Sequence, residues 1–256
     1  MDFTLSKYKE LLEVLKDAGY KPLTFSEYIG GHYSGRFVIL RHDVDRLPEN
    51  SLRIASLENG EGMKATYYFR AHECSWNEVM VCKISDMGHE VGYHYENMDT
   101  CNGNVDDSYR DFCKNLQEMS KVADISSICM HGSPRSKYDN RDIWKKYSYK
   151  NLGLSGEPYI DTDFSKVLYL SDTGRRWDGF KVSIRDKIEG FQSEWQKRGW
   201  MFHSTNDIVS AVRSGSLPDG LMLTTHPQRW NPFGVRYIEE LLFQNIKNVV
   251  KYFMAK

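Results

Sequence analysis

The chain has 256 residues, 40% of them hydrophobic, and a formal net charge of -1, which suits one folded α/β domain and gives no electrostatic reason to expect nucleic acid. No apolar run approaches the ~20 residues that span a bilayer, and Met1-Asp2-Phe3-Thr4-Leu5-Ser6-Lys7 lacks the basic-then-apolar layout of a secretion signal. The five cysteines (Cys74, Cys82, Cys101, Cys113, Cys129) are odd in number and form no Cys-x-x-Cys pair, so they read as reduced thiols of a cytoplasmic protein, not as a zinc ribbon.

A helix is predicted over 4–19. Thr4 caps it, Leu5, Tyr8, Leu12 and Leu15 repeat at helical spacing, and Gly19 ends it. The paired glycines Gly30 and Gly31 lead into an apolar run, 37–40, that reads as a buried strand. It continues into Arg41-His42-Asp43-Val44-Asp45. Two carboxylates two residues apart at a strand end can point the same way, so one can hold a metal while the other takes a proton. After Pro48 a helix is predicted over 50–58, closed by Asn59-Gly60. A strand over 65–69 ends at Arg70, and a helix over 77–87 ends at Gly88. A strand over 90–93 delivers His94, with Glu96 just beyond. Residues 106–120 read as helix, and a strand over 125–130 delivers His131. A short helix over 141–147 precedes a strand over 167–170 that ends in Ser171-Asp172. The region 180–215 is mixed, with helix after Asn206. The last strand, 221–225, delivers His226, and a long helical pattern covers 237–253.

Strands alternating with helices imply a parallel sheet, and six or seven such units can close into a barrel. Barrel sites lie at the C-terminal ends of strands, which is where Asp43, Asp45, His94, His131 and His226 fall. A doubly wound sheet is the alternative, but no glycine-rich phosphate loop follows the first strand. The expected organisation is a single domain over 1–256, with the helices 4–19 and 237–253 added to the barrel. Of the aromatic residues, Trp177 and Trp230 are candidates to stack on a sugar, with core packing as the alternative. His89 is expected to shape the turn after Gly88, and His32, His72 and His203 to lie at the surface or behind the site.

Five ordered segments resemble the motifs of the polysaccharide deacetylase-like (NodB-homology) superfamily, carbohydrate esterase family four in the broad sense. They are the stretch Phe37 to Asp45, Gly62 to Phe69 together with Met87 to His94, His131-Gly132-Ser133-Pro134, Leu170-Ser171-Asp172 through Trp177, and Leu223-Thr224-Thr225-His226-Pro227. The resemblance implies an irregular (β/α) barrel of about seven parallel strands. It also implies Asp43 as general base, Asp45 and His94 as metal ligands, and His226 as the acid that protonates the leaving amine. The family places a second metal histidine four residues after the first, and here that position is Met98. A thioether is a poor ligand for a hard or borderline divalent ion, so His131 is the expected third ligand and Glu96 the runner-up. Arg70 and Arg135 are candidates to orient Asp43 or bind substrate. Asp172 is a candidate to orient His226 or bind sugar.

These residues fit a metal-dependent hydrolase that removes an acetyl or similar acyl group from an amino sugar. The expected cofactor is a divalent ion, zinc first and manganese, cobalt or nickel after it. With no secretion signal, a nucleotide- or lipid-linked sugar of surface polysaccharide or lipopolysaccharide assembly is the expected substrate. The rival readings are a metal-free C–N hydrolase on the same barrel and a non-catalytic sugar-binding or scaffold protein.

Overall fold

The computed structural model describes residues 1–133, 136–177, 188 and 190–254, with 246–254 described by backbone alone. Seven strands form one sheet: β1 (Lys21–Leu23), β2 (Phe37–Val44), β3 (Thr66–Phe69), β4 (Glu90–Tyr95), β5 (Ile125–Met130), β6 (Val167–Ser171) and β7 (Gly220–Thr225). The order is β5-β4-β3-β2-β7-β6, with β1 beside the first residues of β2, and every pairing is parallel. The helices are α1 (Leu5–Asp17), α2 (Phe25–Gly30), α3 (Pro48–Gly60), α4 (Glu78–Asp86), α5 (Asn97–Thr100), α6 (Val105–Met119), α7 (Pro158–Asp161), α8 (Gln192–Lys197), α9 (Thr205–Arg213) and α10 (Val235–Met254). The fold is an α/β barrel of seven parallel strands, as expected. No helix among the described residues is long and apolar enough to cross a membrane.

The expected helix starts have local causes. The Thr4 hydroxyl accepts from the Lys7 amide at 3.2 Å, and Asn77 and Asn104 cap α4 and α6 in the same way. The strand β1 was not foreseen. It is three residues long and carries Pro22, too short for an apolar period to register.

The ring is closed by an irregular segment. Strands β5 and β6 are the two ends of the sheet order, and the chain just before α7 lies along the free edge of β5. The Ile128 amide donates to Gly156 O at 3.0 Å and the Ser155 amide to Ser126 O at 2.7 Å. The Met130 amide donates to Glu157 Oε1 at 2.9 Å, while Glu157 Oε2 caps α7 through the amides of Tyr159 and Ile160. The Tyr159 hydroxyl then reaches that of Tyr169 on β6 at 3.1 Å. Burial pushes the Glu157 carboxyl up to about 7 against these donors.

Side chains alternate across β2. Arg41 and Asp43 point to one face, together with their register partners Thr66, Tyr68 and Thr224. This face is polar. At its lower end Glu90 accepts from the Ser26 amide at 2.9 Å, the Ser26 hydroxyl at 2.7 Å and the Thr66 hydroxyl at 3.0 Å. Gly92 is required here, because a Cβ would lie 2.5 Å from the Tyr68 ring and 2.9 Å from Ser127 O. On the opposite face of β2, His42 meets Glu58 of α3. Glu58 accepts from His42 Nε2 at 2.7 Å, Tyr8 at 2.5 Å and Tyr67 at 2.5 Å, so one buried carboxylate joins α1, α3, β2 and β3. His89 is likewise buried, accepting from the Ala65 amide and contacting Ala55 O through Nε2.

Candidate active site

Three ligand atoms converge at the C-terminal ends of β2, β4 and β5. His94 Nε2 lies 3.7 Å from Asp45 Oδ1, and His131 Nε2 lies 3.6 Å from the same oxygen. A tetrahedral ion with bonds of about 2.1 Å would hold its ligand atoms about 3.4 Å apart. Asp45 Oδ1 is buried and has no hydrogen-bond partner among the described residues, whereas Oδ2 accepts from Gln228 Nε2 at 3.0 Å. A buried anionic acceptor left open between two imidazole nitrogens is costly unless a cation fills the gap. One carboxylate and two imidazoles is also a donor set of catalytic zinc, so the residues present fit a divalent ion.

Each imidazole is held from behind. His94 Nδ1 lies 3.0 Å from Cys129 O, which can only accept, so Nδ1 carries the proton and Nε2 offers its lone pair toward Asp45. Burial lowers the His94 pKa to about 4 despite Asp43, leaving the ring neutral at neutral pH. His131 Nδ1 lies 2.9 Å from Glu96 Oε2, an ion-pair contact whose angle falls short of a hydrogen bond. Burial disfavours charge on His131, but Glu96 and Asp45 together raise its pKa. Glu96 is taken by Arg70, whose Nε reaches Oε1 at 3.0 Å and whose Nη2 reaches both oxygens, at 2.7 and 2.9 Å. After Asp45 the chain turns through Leu47, a left-handed residue at φ 55°.

Asp43 is 3% exposed and lies just below this group, with Oδ2 3.9 Å from His94 Nε2. Its orienting partner is Arg41, two residues earlier on the same strand. Arg41 Nε donates to Oδ1 at 2.9 Å and Nη2 to Oδ2 at 2.7 Å, a two-point fork. The guanidinium lies over the Tyr159 ring, 4.7 Å from its centre. Burial alone would raise the Asp43 pKa, but Arg41 and then His94 hold it well below the ordinary carboxylate value.

His226 stands on the other side of β2, at the end of β7. Its Nδ1 lies 2.6 Å from Asp172 Oδ1, and its amide donates to Asp172 Oδ2 at 3.0 Å. Asp172 also accepts from Arg229 Nη1 at 2.5 Å and Trp230 Nε1 at 2.8 Å. Burial and Arg229 oppose charge on His226, yet Asp172 and Asp45 raise its pKa above the ordinary value. Nδ1 is engaged by Asp172 Oδ1 and also lies 2.8 Å from Arg229 Nη1, so Nε2 is the nitrogen left to face a substrate and give a proton.

Of the remaining candidates, Arg70 is placed differently from expectation, and the alternatives open for Glu96, Trp177 and Trp230 resolve away from ligation and sugar stacking. Arg70 binds Glu96, and the orienting of Asp43 falls to Arg41. Glu96 sits behind His131 instead of among the ligand atoms. Trp177 and Trp230 are each 1% exposed and pack together with Phe3, with Trp177 Nε1 donating to Thr205; as core rings they present no face to a sugar. Arg135 lies outside the described residues. Arg41, Gln228 and Arg229 were missed. The two-residue spacing of Arg41 from Asp43 was a usable signal, whereas the turn that returns Gln228 and Arg229 to the site leaves none.

No family model matches the chain, and no curated protein matches its sequence. Among solved structures, wild-type BA3943 from Bacillus anthracis, a CE4 family pseudoenzyme, is 14% identical with a TM-score of 0.46, covering 86% of this chain and 63% of that one. A BA3943 mutant with restored enzymatic activity matches at the same identity and TM-score, and this chain spans 65% of its length. Bacillus subtilis PdaA, a family 4 carbohydrate esterase, is 12% identical with a TM-score of 0.40, covering 93% of this chain and 82% of that one. The chain is similar to family 4 carbohydrate esterases. The position four residues after His94 is Met98, which is 3% exposed in the apolar core, its amide held by Asn140 Oδ1 at 2.9 Å.

Proposed function

We propose that this protein is a metal-dependent hydrolase that removes an acetyl or similar acyl group from an amino sugar carried on a nucleotide or lipid. The observation that carries the reading is the open Asp45 Oδ1 between His94 and His131, with a forked carboxylate on one side and a carboxylate-held imidazole on the other. A divalent ion held by Asp45, His94 and His131, zinc being the first choice, would lower the pKa of water and polarise the acyl carbonyl. Asp43, kept ionised and fixed by Arg41, takes the proton as the water oxygen bonds to the acyl carbon. His226, whose pKa Asp172 raises, gives a proton to the nitrogen as the C–N bond breaks. Burial of Asp43 and His226 keeps bulk water from competing for those protons.

The direct test is acetate release from nucleotide-linked and free N-acetylamino sugars, with zinc, manganese, cobalt or nickel supplied in turn. Acetate that appears over time and stops on adding a chelator supports the reading. No acetate with any ion across the panel would overturn it. A second expectation concerns pH. His226 acts in its protonated form, so activity is lost as pH rises through its raised pKa. Removing the carboxylate beside it lowers that pKa, so Asp172→Asn moves the alkaline limb of kcat/KM to lower pH, by roughly 1–3 units. An unmoved limb in the pH–rate profile of that variant would remove His226 from the acid role.

A further inference from the structure

We infer that Arg70 and Glu96 form a brace outside the metal ligands that makes His131 a ligand, so that this chain holds its ion without a histidine four residues after His94. The inference rests on the metal site proposed above. Arg70 stands at the end of β3, between the strands that carry the ligands. Its Nη1 donates to the backbone oxygen of Asp45 at 3.1 Å, at the end of β2. Its Nε and Nη2 grip Glu96 just past β4, and Glu96 Oε2 faces His131 Nδ1 just past β5 at 2.9 Å. One guanidinium therefore ties together the strand ends that supply Asp45, His94 and His131.

The other roles open to these two residues fit less well. Nε, Nη1 and Nη2 of Arg70 are all engaged within the protein, and both Glu96 oxygens are taken by Arg70. Neither group is left to clamp a substrate or to turn toward the ion. The backbone of His131 is fixed on both sides, its amide donating to Tyr95 O at 2.8 Å and its oxygen accepting from Asn140 Nδ2 at 2.9 Å. Only the ring torsion remains, and the Glu96 carboxylate facing Nδ1 at 2.9 Å favours the ring orientation that leaves Nε2 toward Asp45. A carboxylate behind a ligating imidazole also raises its basicity. Arg70 and Glu96 are thus positioning residues that act through His131.

The test is zinc and cobalt affinity of the metal-free protein, measured by competition with a chromophoric chelator. Glu96→Gln is expected to bind either ion about 10–100-fold more weakly, while staying folded before metal is added. Met98→Leu, a swap of similar volume in the core, is expected to stay within about twofold of wild type. The double variant Glu96→Gln/His131→Ala is expected to bind no more weakly than His131→Ala alone, because the brace has nothing left to act through. Wild-type affinity in Glu96→Gln, or a further loss in the double variant, would overturn the brace while leaving the metal site standing. Failure of the wild type itself to bind either ion would overturn the metal reading and this inference with it.

Discussion

Asp43→Asn is expected to lower turnover of an N-acetylamino sugar about 100- to 10,000-fold, the usual worth of a positioned general base, while about one divalent ion per chain remains bound. The ion stays because the orphaned ligand oxygen belongs to Asp45, whereas both Asp43 oxygens are occupied by Arg41. The substitution has a second consequence. Arg41 is 1% exposed, and its Nη1 already lacks a partner among the described residues. Losing the charge of its counterion leaves a buried cation uncompensated, which costs about 3–5 kcal/mol when such a pair is broken. Metal content measured beside turnover separates the two effects. A folded, metal-loaded Asp43→Asn that retains turnover would remove Asp43 from the base role.

Glu58→Ala is expected to destabilise the fold by about 3–5 kcal/mol, read as the shift in urea unfolding free energy at neutral pH. Glu58 is fully buried, and its removal strands the Tyr8 and Tyr67 hydroxyls and His42 Nε2 without their acceptor. The expectation also has a pH signature. Burial works to raise the Glu58 pKa, but His42, and after it His89 and Tyr67, bring it below the ordinary value of 4.5. Its contribution to stability is therefore present above about pH 4.5 and is lost as pH falls through the folded value. Glu58→Gln is expected to show less acid loss than wild type over that range. Equal acid loss in the two proteins would place the carboxylate's weight elsewhere.

The sheet is largely legible in the amino-acid sequence. Strands were predicted over 65–69, 90–93, 125–130, 167–170 and 221–225, and the observed ones are Thr66–Phe69, Glu90–Tyr95, Ile125–Met130, Val167–Ser171 and Gly220–Thr225. Short apolar runs bounded by turns and polar clusters carry that signal. The grouping of Asp45, His94 and His131 was legible for a related reason, since each follows an apolar run and strand ends in a parallel barrel share one face. What the sequence hid was pairing. It shows that Arg41, Arg70, Glu96 and Asp172 are polar residues at strand ends, but not which cation meets which anion across the barrel. By sequence Arg70 is available to Asp43, but Glu96 holds it. The exposure of aromatic rings was hidden as well. Trp177 and Trp230 come from separate loops and become core where they pack on each other, with Phe3 on both and Tyr8 on Trp230. The β5–β6 seam, closed by Glu157 accepting the Met130 amide, follows no periodic pattern at all.

The central claim is a divalent ion on Asp45, His94 and His131, and elemental analysis of the purified protein beside Asp45→Ala, His94→Ala and His131→Ala tests it most directly. About one ion per chain in the wild type, lost in all three variants while each stays folded, is the predicted result. No ion in the wild type after reconstitution with zinc, manganese, cobalt or nickel, or full occupancy in His131→Ala, would contradict it.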